Sequence, residues 1–245
     1  MANEVELYNI GYCYYTGTND YPLNKRKAFE YFRQSAELGH SDAMNYLGIY
    51  YRSGEFVSTD KRMAATWFSK ALDANEKNPF PAYNLALMYH NGEGIPQDKE
   101  KAYHLALSAV KNGRAANDIY ANACFLVGVI LMEYYDNTPE AFPYFEAAAK
   151  CGNLRAAWHN VGHCYENGYG VQKSLQNAYA SYRKAAELGF AQSMDACGRI
   201  LILHGSKEEG RMWITKAAKL GYQPAIKRLK ALNVADGNGS LWDLF

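Results

Sequence analysis

The sequence predicts an all-α fold of about six helix-turn-helix units in tandem, closed by a C-terminal helix. Three observations carry this reading. A glycine recurs as a register mark at Gly11, Gly48, Gly128, Gly162 and Gly198, with Ala86 in that place once, at intervals of 34 to 42 residues. Around each mark the apolar residues keep helical spacing, as in the row Ala43, Leu47, Tyr51 at i, i+4, i+8. Each following segment carries an aromatic and then small residues: Tyr31/Phe32 to Ala36, Trp67/Phe68 to Ala71, Tyr144/Phe145 to Ala148, Tyr182 to Ala186 and Trp213 to Ala218.

In chain order the copies span residues 4–39, 41–75, 80–113, 121–152, 155–189 and 191–221, followed by a capping half-repeat at 223–232 and a flexible tail at 233–245. A glycine inside a helix costs about 1 kcal/mol relative to alanine. Its return at one register position therefore needs a packing reason, and close approach of an aromatic from a neighbouring helix supplies one. Most copies close on glycine, at Gly39, Gly113, Gly152, Gly189 and Gly221, which suits the left-handed conformation after a helix. In the second copy Asn75 is expected to take that conformation instead. The third and fifth copies turn through a glycine-x-glycine-apolar connection, Gly92 to Ile95 and Gly168 to Val171; the fourth and sixth are three and four residues shorter there. Extra residues lie at 76–81 and 114–122, the second an expected extra helical turn. The tail reads as loose to Ser240 and ends in the apolar tag Leu241–Phe245.

Composition narrows the function classes. Apolar residues make up 49% and charged residues 21%, which fits a folded soluble chain. The 26 Lys and Arg against 25 Asp and Glu leave a net charge of +1, which excludes a strong general attraction to nucleic acid or anionic lipid. The 21 tyrosines supply either many half-buried packing positions or a large contact surface. The start, MANEVELYNIGY, lacks the basic and apolar regions of a signal peptide, and the apolar run Ala123–Met132 is about half the roughly 20 residues of a membrane helix. A cytoplasmic location is expected. Five cysteines, odd in number and without a CxxC pair, point to a reducing compartment rather than to disulfides or zinc.

Taken together the marks resemble the Sel-one-like repeat family, helix-turn-helix units related to tetratricopeptide repeats. The fifth copy carries the fullest match, with Gly162, Tyr165, Gly168, Gly170, Val171, Ala178, Tyr182, Lys184, Ala185, Ala186 and Gly189; six copies in register extend it from Glu4 to about Leu232. The resemblance implies a right-handed α–α superhelix that acts as a non-enzymatic scaffold or adaptor, binding a protein or peptide in a concave groove. Bacterial adaptors and effector-neutralising immunity proteins are among the specialisations it implies. An alternative is a β-lactamase-like hydrolase of the secreted subgroup, which pairs cysteines within each repeat.

If the first helices line the groove, as in the related repeats, the inward positions lie three residues before the mark, one after it, and four or five after it. The expected partner-binding residues are Tyr8, Tyr12, Tyr15, Asn45, Arg52, Tyr83, His90, His159, His163, Glu166, Asp195 and Arg199. Ile49, Leu87, Phe125, Val129 and Glu133 fall at the same positions. His159 and His163 have metal-ligand spacing, but Asn160 stands where a zincin helix has its glutamate, and no third ligand is assignable. The glycine turns follow no strand and lack the Lys-Ser/Thr of a phosphate loop. The basic group Arg211, Lys216, Lys219, Lys227, Arg228 and Lys230 reads as a solvated cap. With no GxSxG or HExxH and no cysteine placed to be reactive, we expect no catalytic residues, no metal and no cofactor, and a protein or peptide partner rather than nucleic acid or a membrane.

Overall fold

The computed structural model describes residues 2–113 and 117–235. Thirteen helices and no strand are found among them: α1 Glu4–Thr16, α2 Lys25–Glu37, α3 Ser41–Ser53, α4 Lys61–Ala74, α5 Pro79–Asn91, α6 Lys99–Asn112, α7 Asn117–Glu133, α8 Thr138–Gly152, α9 Arg155–Asn167, α10 Leu175–Glu187, α11 Ala191–Leu203, α12 Lys207–Lys219 and α13 Gln223–Ala235. They form two compact units, Met1–Ile130 and Leu131–Phe245, divided near the end of α7. No helix among the described residues is long and apolar enough to cross a membrane.

The start of four of the six second helices is set by the same kind of polar cap. Asn24, Asp60, Asp98 and Ser174 cap α2, α4, α6 and α10, each accepting the backbone N–H three residues on, at 3.0, 2.9, 2.9 and 3.2 Å. Each such cap is worth about 1 kcal/mol. The same residues fix the turns, because Asn24, Asp60, Asp98 and Ser174 also donate their backbone N–H to Tyr14, Tyr51, Tyr89 and Tyr165 of the preceding helix. The tyrosine three residues past four of the marks therefore anchors its turn through its backbone carbonyl, and Leu131 and Leu201 do the same in the fourth and sixth copies.

In the first unit the core lies between the second helix of one hairpin and the first of the next. Ala28, Phe32 and Ala36 of α2 meet Ala43, Leu47 and Tyr50 of α3; Ala64, Ala65 and Phe68 of α4 meet Leu85 and Met88 of α5. In the second unit Ala178, Tyr182, Cys197, Ile200, Ile214, Ala225 and Leu229 continue the pattern from α10 to α13.

The register glycines have the packing reason the sequence requires. A Cβ on Gly48 would stand 2.5 Å from the Phe68 ring, and one on Gly162 would stand 2.7 Å from Tyr182. In the third copy, where Ala86 replaces the glycine, the position corresponding to Phe68 is Ala106, and both alanines are fully buried. The extra methyl on one helix thus goes with a missing ring on the other. In the sixth copy the side chain on Gly198 is Ile214, not the expected Trp213, which packs at the edge of the core.

Several boundaries differ from expectation. Asn75 is extended, with φ −150°, because α4 hands directly to the Asn78 cap of α5. Gly113 is not left-handed either (φ −86°), and Gly152 is the last residue of α8, with Asn153 taking the left-handed place at φ 48°. Gly39, Gly189 and Gly221 are left-handed as expected. α7 starts at Asn117, the extra turn foreseen before the fourth copy. The capping helix continues through residues 233–235, which the sequence assigned to the tail, since Arg211 of α12 hydrogen-bonds to the Asn233 side chain. Leu241–Phe245 lies outside the described residues.

Candidate protein-binding face

The first helices present three rows of side chains, and the structure gives the rows different work. The row three residues before the mark crosses to the next hairpin. Tyr8 stacks on His40, the N-cap of α3, with ring centroids 4.5 Å apart, and burial, with Asp42 and Tyr12 adding to it, pushes its hydroxyl up to about 12. Asn45 is buried and accepts from Asn84 of α5 at 3.0 Å. Tyr83 is half-buried; burial raises its pKa and the nearby Arg52 opposes this. The His159 Nδ1 lies 2.8 Å from the Ser193 hydroxyl of α11, and its ring packs between Tyr182 and Phe190. Burial above all, with His163 adding and Glu166 opposing, lowers its pKa to about 4, so the ring is neutral near pH 7. Asp195 is buried and receives two hydrogen bonds from Arg228 of α13, at 2.9 and 3.2 Å.

The row four residues after the mark also turns inward. Tyr15 meets Tyr46 edge-on at 5.0 Å under the ammonium of Lys25. Arg52 donates to Glu93 at 2.8 and 3.2 Å, and Lys61 joins the same carboxylate at 3.1 Å. The hydrogen bond from Arg52, ahead of that from Lys61, holds the Glu93 carboxyl below its ordinary range against a smaller cost of burial. The His90 ring lies 3.0 Å from Lys99 Nζ. Glu166 accepts from the Tyr182 hydroxyl at 2.8 Å and from Arg199 at 2.5 Å.

The row one residue after the mark is the open one. Tyr12 is 42% exposed and His163 is exposed, its ring beside Tyr169 at 5.6 Å. Ile49 and Leu87 are half-buried in the same row of the first unit, and Arg199, half-buried, is tied to Glu166 in the second. Of the twelve candidates, Asn45, Arg52, His159, Glu166, Asp195 and Arg199 are hydrogen-bonded to internal partners and Tyr8 and Tyr15 are packed on neighbouring rings, while Tyr12 and His163 keep exposed faces.

Sequence reasoning missed those partners. Tyr46 and Asn84 both stand two residues before a mark and receive the preceding row, a spacing that could have been read. Ser193 and Arg228 carry no comparable signal. Arg211 and Arg228, read as a solvated cap, are instead tied to Asn233 and Asp195. The histidine pair gathers no metal-binding group: no cluster of three or more His, Cys, Asp or Glu with that geometry occurs among the described residues. All five cysteines are in the thiol form; Cys164 and Cys197 are pushed up, to about 11 and about 12, by burial above all.

The Sel1 repeat family matches residues 7–40, 41–76, 82–113, 121–153, 156–190 and 201–222. The chain belongs to the Sel1 repeat family. The sixth Sel1 match begins inside α11. Among curated proteins it is similar to DAP3-binding cell death enhancer 1 of Rattus norvegicus, 30% identical over 70% of this chain and 32% of that protein. It is also similar to chitin synthase regulator SKT5 of Saccharomyces cerevisiae, 26% identical over 73% of this chain and 32% of that one. The Sel1 chain thus spans about a third of the length of these relatives. A solved Sel1 repeat protein from Oxalobacter formigenes shares the fold, with TM-score 0.71 and 21% identity over 88% of this chain and 85% of that one.

Proposed function

We propose that this Sel1 repeat protein is a protein-binding scaffold whose contacts in each unit come from the row one residue after the mark, at Tyr12 in the first unit and His163 in the second. The observation that carries this reading is the division of labour among the rows. Residues on either side of Tyr12 and His163 are spent on joining hairpins, while these two keep exposed aromatic or imidazole surface suited to a partner. The names of the curated relatives, one a binding protein and one a regulator, support a regulatory adaptor over a catalyst. Effector neutralisation by a bacterial protein would be a specialisation of the same face. A reducing, cytoplasmic setting suits a chain whose buried thiols Cys124, Cys164 and Cys197 serve as small apolar core residues.

The test is site-specific photocrosslinking in cells of the source organism, with p-benzoylphenylalanine placed at Tyr12, Ile49 or His163 and, as controls, at Arg33 or Lys150 on second helices. One discrete adduct from the row positions and none from the controls is expected. Adducts from the controls alone would place the face elsewhere.

A further inference from the structure

We propose that an apolar recess at the junction of α10 and α11 is the seat of the chain's own segment Leu241–Phe245, which takes the place of a turn that the last hairpin lacks. In earlier hairpins the turn between the two helices folds back over the start of the preceding second helix. In the second hairpin Phe56 packs on Phe29 of α2 at 5.5 Å, and Val57 joins the same cluster. In the third, Gly94 lies against Lys61 at the start of α4 too closely for any side chain, and Ile95 packs on the Ala64–Phe68 cluster. In the fifth, Gly170 lies as closely on Pro139 and Phe142 of α8. The sixth hairpin has only His204, Gly205 and Ser206 between its helices, with no residue in the place of Phe56, Ile95 or Gly170. A Cβ on Gly205 would meet nothing within 4 Å.

The recess left there has a volume of about 290 Å³ and is lined by Leu175, Gln176, Tyr179, Ile200, Leu201 and His204. Leu203, on the same last turn of α11, is 72% exposed. The size lies at the lower edge of the ~300–1,000 Å³ typical of ligand pockets, room for one or two large apolar side chains.

The chain supplies such side chains at the right distance. Leu241-Trp242-Asp243-Leu244-Phe245 sets four apolar side chains within five residues, after Asp236–Ser240, which has the composition of a linker. The last described turn of α13 lies at the correct end of the unit, since the Asn233 side chain accepts from Arg211, close to Ser206 and the start of α12. On that same first turn Glu209 is close enough to Tyr179 to act on it electrostatically. The ten residues after Ala235 can reach ~33 Å, about three helix diameters.

The test is 19F NMR of the full chain labelled with 5-fluorotryptophan, the Trp242 line being assigned with Trp242→Phe. The line is expected to be displaced from that of a synthetic peptide of residues 236–245, and to stay displaced on tenfold dilution. Leu175→Lys, at an exposed edge of the recess, should return it to the peptide position while the lines of Trp67, Trp158 and Trp213 stay in place. Should Leu175→Lys disturb those three lines, Leu241→Ala with Phe245→Ala, outside the folded helices, must give the same return. A Trp242 line already at the peptide position, or one that neither variant moves, overturns the proposal. So does a displaced line that dilution restores, which would assign the segment to a second copy.

Discussion

The first junction of the N-terminal unit and the last junctions of the C-terminal unit use the same register positions with different chemistry. Around α1 and α3 the contacts are rings: Tyr8 on His40, Tyr15 on Tyr46, and Phe32 flat against Tyr46 at 4.5 Å. Around α9, α11 and α13 they are polar: His159 on Ser193, Glu166 on Arg199, Asp195 on Arg228. The repeat determines where a side chain must cross to the next hairpin and leaves the kind of contact open. Ring contacts depend on shape and area and are indifferent to salt, whereas the polar ones depend on pH and ionic strength.

The largest expected effect breaks the aromatic junction. Phe32→Ala removes a buried ring from Gly11 and Tyr46 and should cost about 4 kcal/mol in urea unfolding, with little change between low and high salt. Arg228→Ala breaks the ionic junction and should cost about 3 kcal/mol, because it strands the Asp195 carboxylate, whose side chain is only 9% exposed. Asp195→Ala should cost less, since Arg228 is 37% exposed and can hydrate. Equal losses from the two would mean the pair is held at the surface.

The pH profile sharpens the contrast. The folded pKa of His159, about 4, lies below its ordinary 6.5, so the unfolded chain takes up the proton first. Stability from this site is complete above pH 6.5 and is lost as the pH falls toward 4, on the order of 2–3 kcal/mol. His159→Gln should flatten that slope in the second unit, which hydrogen exchange on α9 and α11 would read. The smallest effect belongs to the open row: Tyr12→Ala should change unfolding by less than about 1 kcal/mol.

Much of the fold was legible because its determinants are local and repeated. A glycine that pays a helix penalty announces a ring opposite it, and the structure puts Phe32, Phe68 and Tyr182 opposite Gly11, Gly48 and Gly162; opposite Gly198 it puts Ile214 in place of the expected ring. The helix ends were less legible, because Asn75 and Gly113 take their conformations from the length of the connection that follows rather than from residue type. The candidate face was legible in position and not in role. Asn45, Glu166 and Asp195 look like groove residues along one helix, and only the next helix, some 35 residues on, supplies Asn84, Arg199 and Arg228 to use them up.

Urea unfolding of two matched pairs tests the division of rows most directly. Tyr12→Ala with His163→Ala removes one open residue from each unit; Tyr8→Ala with His159→Ala removes the neighbour four residues earlier that crosses to the next hairpin. The first pair should stay within about 1 kcal/mol of the parent, and the second should lose about 3 kcal/mol or more. Equal losses, or a larger loss from the first pair, would contradict the assignment of the open row to a partner.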